Sequence, residues 1–162
     1  MALPTSLSSL NVREAITDAI YRGVLGLDTD DQALFDSAFT PDASFDLNGT
    51  VMSGLDAIHT GCYDAVSKLD TTHFISNVRV NVRGDDDDDD GDSTTTASMT
   101  ASALAQHYRR KQGTEAGATR LLTGSLYFLD LVKDGEDGLW KIKHWRLQLV
   151  WTEGDWGVMT GK

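Results

Sequence analysis

The sequence has few of the residues and segments that mark special classes of protein. Cys62 is the only cysteine in 162 residues, so an internal disulfide is impossible and a reducing compartment is expected. No apolar run reaches the roughly 18 residues that a transmembrane helix needs. Residues 1–10 lack the basic start and continuous apolar stretch of a signal peptide. These absences predict a cytoplasmic protein without a membrane partner.

Positive charge is also scarce. The chain has 14 lysines and arginines against 25 aspartates and glutamates, for a formal net charge of −11. A nucleic-acid partner is therefore not expected, because phosphate backbones are bound through basic stripes. Part of the negative charge is local, since Asp85 to Asp90 form an unbroken acidic run.

That acidic run has a second interpretation, as a calcium loop. Asp86, Asp88 and Asp90, followed by Gly91, match the first half of an EF-hand loop, but its twelfth position is Ala97 where the motif needs glutamate. We therefore expect a self-repelling, mobile loop over 84–95. The four histidines lack the tight spacing of a metal-ligand motif, so neither a metal nor a cofactor is expected.

The N-terminal part of the chain has the spacing of helices. An arm over 1–10 leads to a capping box formed by Asn11 and Glu14, followed by apolar residues at helical spacing, with Gly26 as the expected stop. Capping from Thr29 predicts a short second helix that ends at Thr40–Pro41. Capping over 53–56 predicts a third helix, which extends to about Leu69.

The remainder alternates as strands. Asn48-Gly49 predicts a tight hairpin between strands 43–47 and 50–53. Four longer strands are expected over 73–83, 96–110, 119–133 and 139–152, joined as an antiparallel meander. Three helices followed by a meander predict a single α+β domain over 1–162, with the helices packed on one face of a strongly curved sheet that encloses a pocket.

Four short motifs in this order resemble a known family. They are Asp42–Phe45, Ser53–Ile58, Thr72–Ile75, and Gly138–Ile142 followed by Trp145-Arg146. The order of elements and these motifs are similar to the SnoaL-like branch of the nuclear transport factor 2-like superfamily. That resemblance covers about 11–155 and implies a cone-shaped α+β barrel whose antiparallel sheet has a mixed edge.

Within that superfamily, the chain is most similar to scytalone dehydratase-type proteins. The resemblance places an aspartate and two cavity histidines of that group at Asp28, His73 and His107. Two tyrosines that hold the substrate carbonyl in the dehydratase fall on Leu27 and Leu47, so scytalone itself is not the expected substrate. The other expected cavity residues are Ser125 or Tyr127 from the resemblance, and Tyr21, Tyr127 and Trp145 as aromatic wall.

The three groups have the chemistry for proton transfer near neutral pH. A carboxylate can hold one imidazole nitrogen protonated and leave the other as a base, while the second histidine acts as a proton donor. The alternative is that each is a structural or solvated residue; His59 is expected to be exposed and His144 to lie in the core or an interface. Strand alternation predicts that Ala103 and Ala105 share the side of His107, and that Ile75 and Asn77 share the side of His73.

These observations predict a cofactor-independent lyase or isomerase, of the dehydratase or cyclase type, acting on a hydrophobic cyclic molecule of polyketide or terpenoid type. A noncatalytic ligand-binding or assembly module is the alternative, and a β-subunit of an aromatic-ring dioxygenase is a third. A homodimer or homotrimer is expected, because Leu147, Leu149 and Trp151 alternate along the last strand. A C-terminal tail over 153–162, with Trp156 and Met159, is expected to close the cavity mouth.

Overall fold

A computed structural model of the protein describes residues 3–83 and 95–161. The predicted acidic loop, with Asp85 to Asp90, lies outside the described residues apart from Thr95.

The first helix, α1 (Val12–Thr29), begins as the sequence predicts. Asn11 accepts a hydrogen bond from the Glu14 N–H at 3.0 Å, and the Glu14 carboxylate accepts the Asn11 N–H at 2.9 Å, which completes the capping box. The expected stop at Gly26 is wrong, because the helix continues to Thr29 and ends on Asp30 in a left-handed conformation. Gly26 instead permits a close approach, since a Cβ there would lie 2.6 Å from the backbone nitrogen of Phe35.

The second helix, α2 (Gln32–Ser37), is shorter than expected. Its N-cap is Asp31, which accepts the Leu34 N–H at 3.1 Å, rather than Thr29. The expected end at Thr40–Pro41 is also wrong, because both residues already belong to the strand β1 (Phe39–Leu47). Pro41 lies where the register of β1 shifts against its neighbour, a position that tolerates a residue without an N–H.

The hairpin is confirmed. Strand β1 turns into β2 (Thr50–Ser53) through Asn48 and Gly49, whose φ angles of 51° and 96° are the positive values that a tight type I′ turn needs.

The third helical segment is irregular. It comprises α3 (Leu55–Ile58), a π-helical turn (His59–Tyr63) and α4 (Asp64–Val66), and its N-cap is Gly54 with no side-chain cap bond.

The predicted meander is confirmed. Strands β3 (Asp70–Arg83), β4 (Thr96–Tyr108), β5 (Arg120–Lys133) and β6 (Trp140–Gly154) pair antiparallel in sequence order. The hairpin adds to β6 through a parallel β1–β6 pairing, so the sheet order is β2-β1-β6-β5-β4-β3. This six-stranded sheet with helices against it is the predicted α+β fold with a mixed edge. A short helix, α5 (Gly157–Thr160), follows β6.

Two bulges change which side chains share a face. The register of β3 shifts between Ser76 and Arg79, where Asn77 has a φ of 52°. Asn77 is therefore exposed rather than on the side of His73, and Val78 and Val80 pack against the core. A second shift, opposite Gly124 and Ser125, separates Leu149 from Trp151. The three residues Leu147, Leu149 and Trp151 therefore do not form one apolar face, contrary to expectation.

The buried guanidinium of Arg22 connects the first helix to the last strand. It donates to the backbone carbonyl of Trp140 at 2.5 Å, to the carbonyl of Ser37, and to the Asp18 carboxylate at 2.9 Å. Burial lowers the pKa of Arg22, and the Asp18 carboxylate acts in the opposite direction. These bonds lie at one margin of a core in which α1 and α2 pack against the inner side of the sheet. Within the described residues, no helix is long and apolar enough to cross a membrane.

Candidate functional site

A cavity of about 350 Å³ lies between the inner side of the sheet, the end of α1, the π-helical turn and α5. Strands β4, β5 and β6 form its floor, and most of its wall is apolar. The predicted site residues that line it are His73, His107, Leu27, Leu47, Ser125, Tyr127 and Trp145. Trp156 and Met159, from the end of the chain, also line it.

Asp28 binds His73 through both carboxylate oxygens. Its Oδ1 lies 2.6 Å from the ring Nδ1, and its Oδ2 accepts the backbone N–H of His73 at 2.8 Å. Both side chains are close to nine-tenths buried, with exposed fractions of 8% for His73 and 10% for Asp28. Because Nδ1 is occupied, Nε2 is the ring nitrogen of His73 that remains for a ligand.

The end of α1 is anchored so that Asp28 faces β3. The Asp30 carboxylate contacts the Lys68 ammonium at 2.5 Å and accepts the Tyr63 hydroxyl at 3.3 Å. The bond with Lys68 is the main cause of the lowered pKa of Asp30. Burial, followed by the charge of Asp30, raises the pKa of Tyr63 to about 12. The last turn of α1 is thus held against the third helical segment.

His107 is buried beside His73. The two rings meet edge to face with centroids 5.6 Å apart, and His107 Nδ1 lies 2.7 Å from the hydroxyl oxygen of Thr71. Burial, followed by the proximity of His73, lowers the pKa of His107 to about 4, against a smaller opposite effect of Asp28. His107 is therefore neutral at neutral pH, with one nitrogen bound to Thr71 and the other available.

One predicted substrate-binding residue lies elsewhere. Tyr21 is 40% exposed and lines a separate surface groove beside Leu7, Val78 and Val80. It faces outward because its position on α1 is one residue beyond the buried Ile20.

The predicted positions of the other histidines, and of the strand neighbours of His73 and His107, were only partly correct. Ala103 and Ala105 line the cavity with His107, as alternation predicts, while Ile75 packs against the core. His59 is partly buried rather than exposed and lies 2.5 Å from the Asp36 carboxylate. His144 is exposed rather than in the core, and its Nδ1 lies 2.8 Å from the Ser44 hydroxyl.

Thr71 and Thr123 are polar site residues that the sequence argument missed. Thr71 is two residues before His73 on β3, and Thr123 is two residues before Ser125 on β5. Strand alternation applied to those neighbours would have placed both on the cavity side. The π-helical turn also brings Cys62 to the cavity wall. Among the described residues, no cluster of three or more His, Cys, Asp or Glu could hold a metal ion.

A curved six-stranded sheet closed by N-terminal helices around a cavity is the architecture of the nuclear transport factor 2-like fold. The chain belongs to the SnoaL-like domain family, whose model matches residues 8–146. This finding confirms the predicted family.

Three similar proteins illustrate this membership. Terrestric acid biosynthesis cluster protein E from Penicillium crustosum is 51% identical over 158 residues, which cover 97% of this chain and 96% of the relative. A provisionally assigned scytalone dehydratase from Novosphingobium aromaticivorans has a TM-score of 0.69 at 21% identity, covering 88% of this chain and 87% of that one. A type 3 hexachlorocyclohexane dehydrochlorinase from Novosphingobium barchaimii has a TM-score of 0.65 at 18% identity, covering 90% and 91%. The two solved structures show the fold alone.

Proposed function

We propose that the protein is a cofactor-independent lyase or isomerase, of the dehydratase or cyclase type, that acts on a hydrophobic cyclic small molecule. The observation that carries this proposal is the buried pair of Asp28 and His73, of which His73 lines a mostly apolar cavity. The relative from a biosynthetic cluster supports a substrate from secondary metabolism.

The proposed first step is removal of a proton from a carbon beside a carbonyl group. Nε2 of His73 takes the proton, the electron pair of the C–H bond forms a carbon–carbon double bond, the π pair of the carbonyl moves to oxygen, and an enolate results. The Asp28 carboxylate stabilises the imidazolium at 2.6 Å from Nδ1. Neutral His107, held by Thr71, is placed to donate a hydrogen bond rather than to release a full proton.

The second step depends on the substrate. If the next carbon carries a hydroxyl group, the enolate collapses, the C–O bond breaks and the His73 imidazolium returns its proton to the leaving oxygen, so that water departs. If instead the substrate is a β,γ-unsaturated ketone without a leaving group, the His73 imidazolium returns the proton to the γ-carbon of the dienolate, and the double bond moves into conjugation with the carbonyl. Both routes return the histidine to its starting state without an added redox partner.

Hydrogen exchange at a model ketone tests the proposal without knowledge of the substrate. Proton NMR in D₂O would follow loss of the α-proton signals of 2-tetralone, a bicyclic ketone, in excess of the buffer rate. We expect wild-type protein to accelerate exchange and His73→Gln to lower the protein-dependent rate about 10²–10⁴-fold, the usual contribution of a general base. His144→Gln, on the outer side of the sheet, is the matched control and should exchange like wild type. Equal exchange rates for wild type and His73→Gln would show that His73 is not the base.

A ligand-binding role without turnover is the second candidate. It is favoured by Leu27 and Leu47, which add aliphatic side chains to the cavity wall. In that case 2-tetralone would bind, as measured by calorimetry, while wild type and His73→Gln would both show only the buffer rate of exchange.

We also propose that the outer side of the sheet joins a second copy of the chain, as a homodimer or homotrimer. Phe74 pairs with Leu104, Leu104 with Gly124, and Gly124 with Trp151, so these residues form one row across four strands. Gly124 lacks a side chain and the Trp151 indole covers it, since a Cβ there would lie 2.2 Å from the ring. The exposed fractions of 56% for Phe74 and 46% for Trp151 are large for apolar side chains on one surface.

A further inference from the structure

Strand β5 carries three hydroxyl groups that face the cavity. Thr123, Ser125 and Tyr127 occupy alternate positions, so their side chains share one side of the strand, and all three line the cavity. Successive members of such a row are about 7 Å apart, because a strand rises about 3.4 Å per residue. We call this set the hydroxyl row.

The hydroxyl row faces the cavity from a mostly buried position. Ser125 is 7% exposed and Tyr127 is 3% exposed, and both line the cavity. Within residues 3–83 and 95–161, the buried side-chain atoms without a hydrogen-bond partner belong to Thr40, Ser67 and Trp145, so neither hydroxyl is an unpaired atom sealed inside the protein. Burial, followed by Cys62 and then Asp28, raises the pKa of Tyr127, so that its hydroxyl stays protonated. A ligand oxygen in the cavity can therefore accept a hydrogen bond from these hydroxyl groups.

The neighbouring strands define where a ligand ring would lie. On β4, Ala105, Ala103 and Ala101 pair with Thr123, Ser125 and Tyr127 in turn. Beyond Ala105, on β3, lies His73, which pairs with it. A flat ring can therefore lie over the alanines, with one edge at His73 and the opposite edge at the hydroxyl row, about two strand spacings or 10 Å away.

The other side of the hydroxyl row is aliphatic. Leu147 pairs with Tyr127, Leu149 pairs with Ser125, and Leu47 pairs with Leu147. The hydroxyl row thus lies between alanines and leucines, and His107 and Trp145 are the other residues of the cavity floor that carry ring nitrogens. Such a row discriminates between ligands by the positions of their oxygen atoms, and not only by their overall polarity.

We propose that the substrate is a ring compound with oxygen substituents along the edge opposite its acidic carbon, and that Thr123, Ser125 and Tyr127 bind those oxygens and determine specificity. This inference rests on the proposed function insofar as it takes the cavity as the substrate site.

Two isomeric diols provide the test. In 2,7-dihydroxynaphthalene both hydroxyl groups lie on one long edge of the ring system, whereas in the 2,6 isomer they lie on opposite edges; size and composition are equal. Titration calorimetry of the full chain should give about tenfold tighter binding of the 2,7 isomer, the effect of one additional buried hydrogen bond. Ser125→Ala and the variant with Thr123→Val, Ser125→Ala and Tyr127→Phe should reduce that preference to less than twofold.

The matched control is Thr100→Val, which makes the same change as Thr123→Val at an exposed position of β4. It should keep the tenfold preference, and circular dichroism would establish that each variant is folded. A wild-type protein that binds neither isomer, or both equally, overturns the proposal, as does a preference that survives in both folded hydroxyl-deletion variants. Because binding requires no turnover, failure of ketone exchange with a retained diol preference would reject the proposed chemistry and leave this inference standing.

Discussion

At the scale of single residues, Asp28 connects the backbone of β3 with the proposed base. One of its oxygens accepts the His73 N–H and the other binds the imidazole, so the same carboxylate fixes the strand and orients the ring. An amide at this position has only one acceptor oxygen and no charge.

We therefore expect Asp28→Asn to lower the rate of 2-tetralone exchange about 10²–10⁴-fold, since the imidazolium loses its stabilising charge. The exposed Asp56, at the start of the third helical segment, provides Asp56→Asn as the control carboxylate. Proton NMR in D₂O measures both variants. Unchanged exchange in Asp28→Asn would show that the carboxylate has only a structural role.

His107 makes a separate prediction about stability. Its pKa of about 4 in the folded chain lies below the ordinary value of 6.5, so the unfolded chain binds the proton more readily. The free energy of unfolding should therefore fall as the pH falls from 6.5 to 4, by roughly 3 kcal/mol from this group. Urea unfolding at several pH values, for wild type and His107→Gln, isolates the effect as the difference between the two curves. If the free energies of unfolding of wild type and His107→Gln changed with pH in parallel, His107 would not be the source of the pH dependence.

The positions of the candidate residues were easier to predict from the sequence than the bonds between them. The predicted meander and the family resemblance placed His73 and His107 on neighbouring strands, and in the structure both line one cavity, with Asp28 bonded to His73. The role of Thr71 in holding His107 was not predicted, because a threonine in a strand is common for its backbone preference alone. Tyr21 was assigned to the cavity for its residue type, and the helix turns it away.

At the scale of elements, departures from regular geometry account for what the sequence could not predict. The bulges in β3 and β6 reverse the sides of Asn77 and Trp151, and neither position carries a sequence signature of a bulge. The π-helical turn at His59–Tyr63 adds a residue to a turn whose apolar spacing looks regular. By contrast, the capping box of α1 and the Asn48-Gly49 hairpin depend on local chemistry and were predicted correctly.

Two glycines of α1 give a matched test of element packing. A methyl group at Gly26 would lie 2.6 Å from the Phe35 nitrogen, whereas at Gly23 its nearest contact would be Ala38 at an ordinary 3.7 Å. We expect Gly26→Ala to lower the free energy of unfolding by about 2 kcal/mol or more, because α2 must move away. Gly23→Ala should be neutral or raise it by up to about 1 kcal/mol through helix propensity. Chemical denaturation measures both, and equal effects would contradict the close approach.

At the scale of the whole molecule, the outer side of the sheet carries the apolar row of Phe74, Leu104, Gly124 and Trp151, of which Phe74 and Trp151 are the most exposed members. Phe74→Lys places a charge in that row, at its most exposed residue. Light scattering after size exclusion should give a dimeric or trimeric mass for wild type and a monomeric mass for this variant. Val51→Lys, on β2 at the opposite edge of the sheet, should keep the wild-type mass. A monomeric wild type at tens of micromolar would contradict the proposed interface.

The connection from Arg22 to the Trp140 carbonyl spans 118 residues, and the parallel pairing of β1 with β6 joins the same two regions. A ribosome adding about 5–20 residues per second releases the second partner roughly 6–24 s after the first. During that interval β1 can pair only with β2 and α1 can pack on β3, while the sides of both elements that contact β6 stay uncovered. Folding can therefore be completed only after translation of β6.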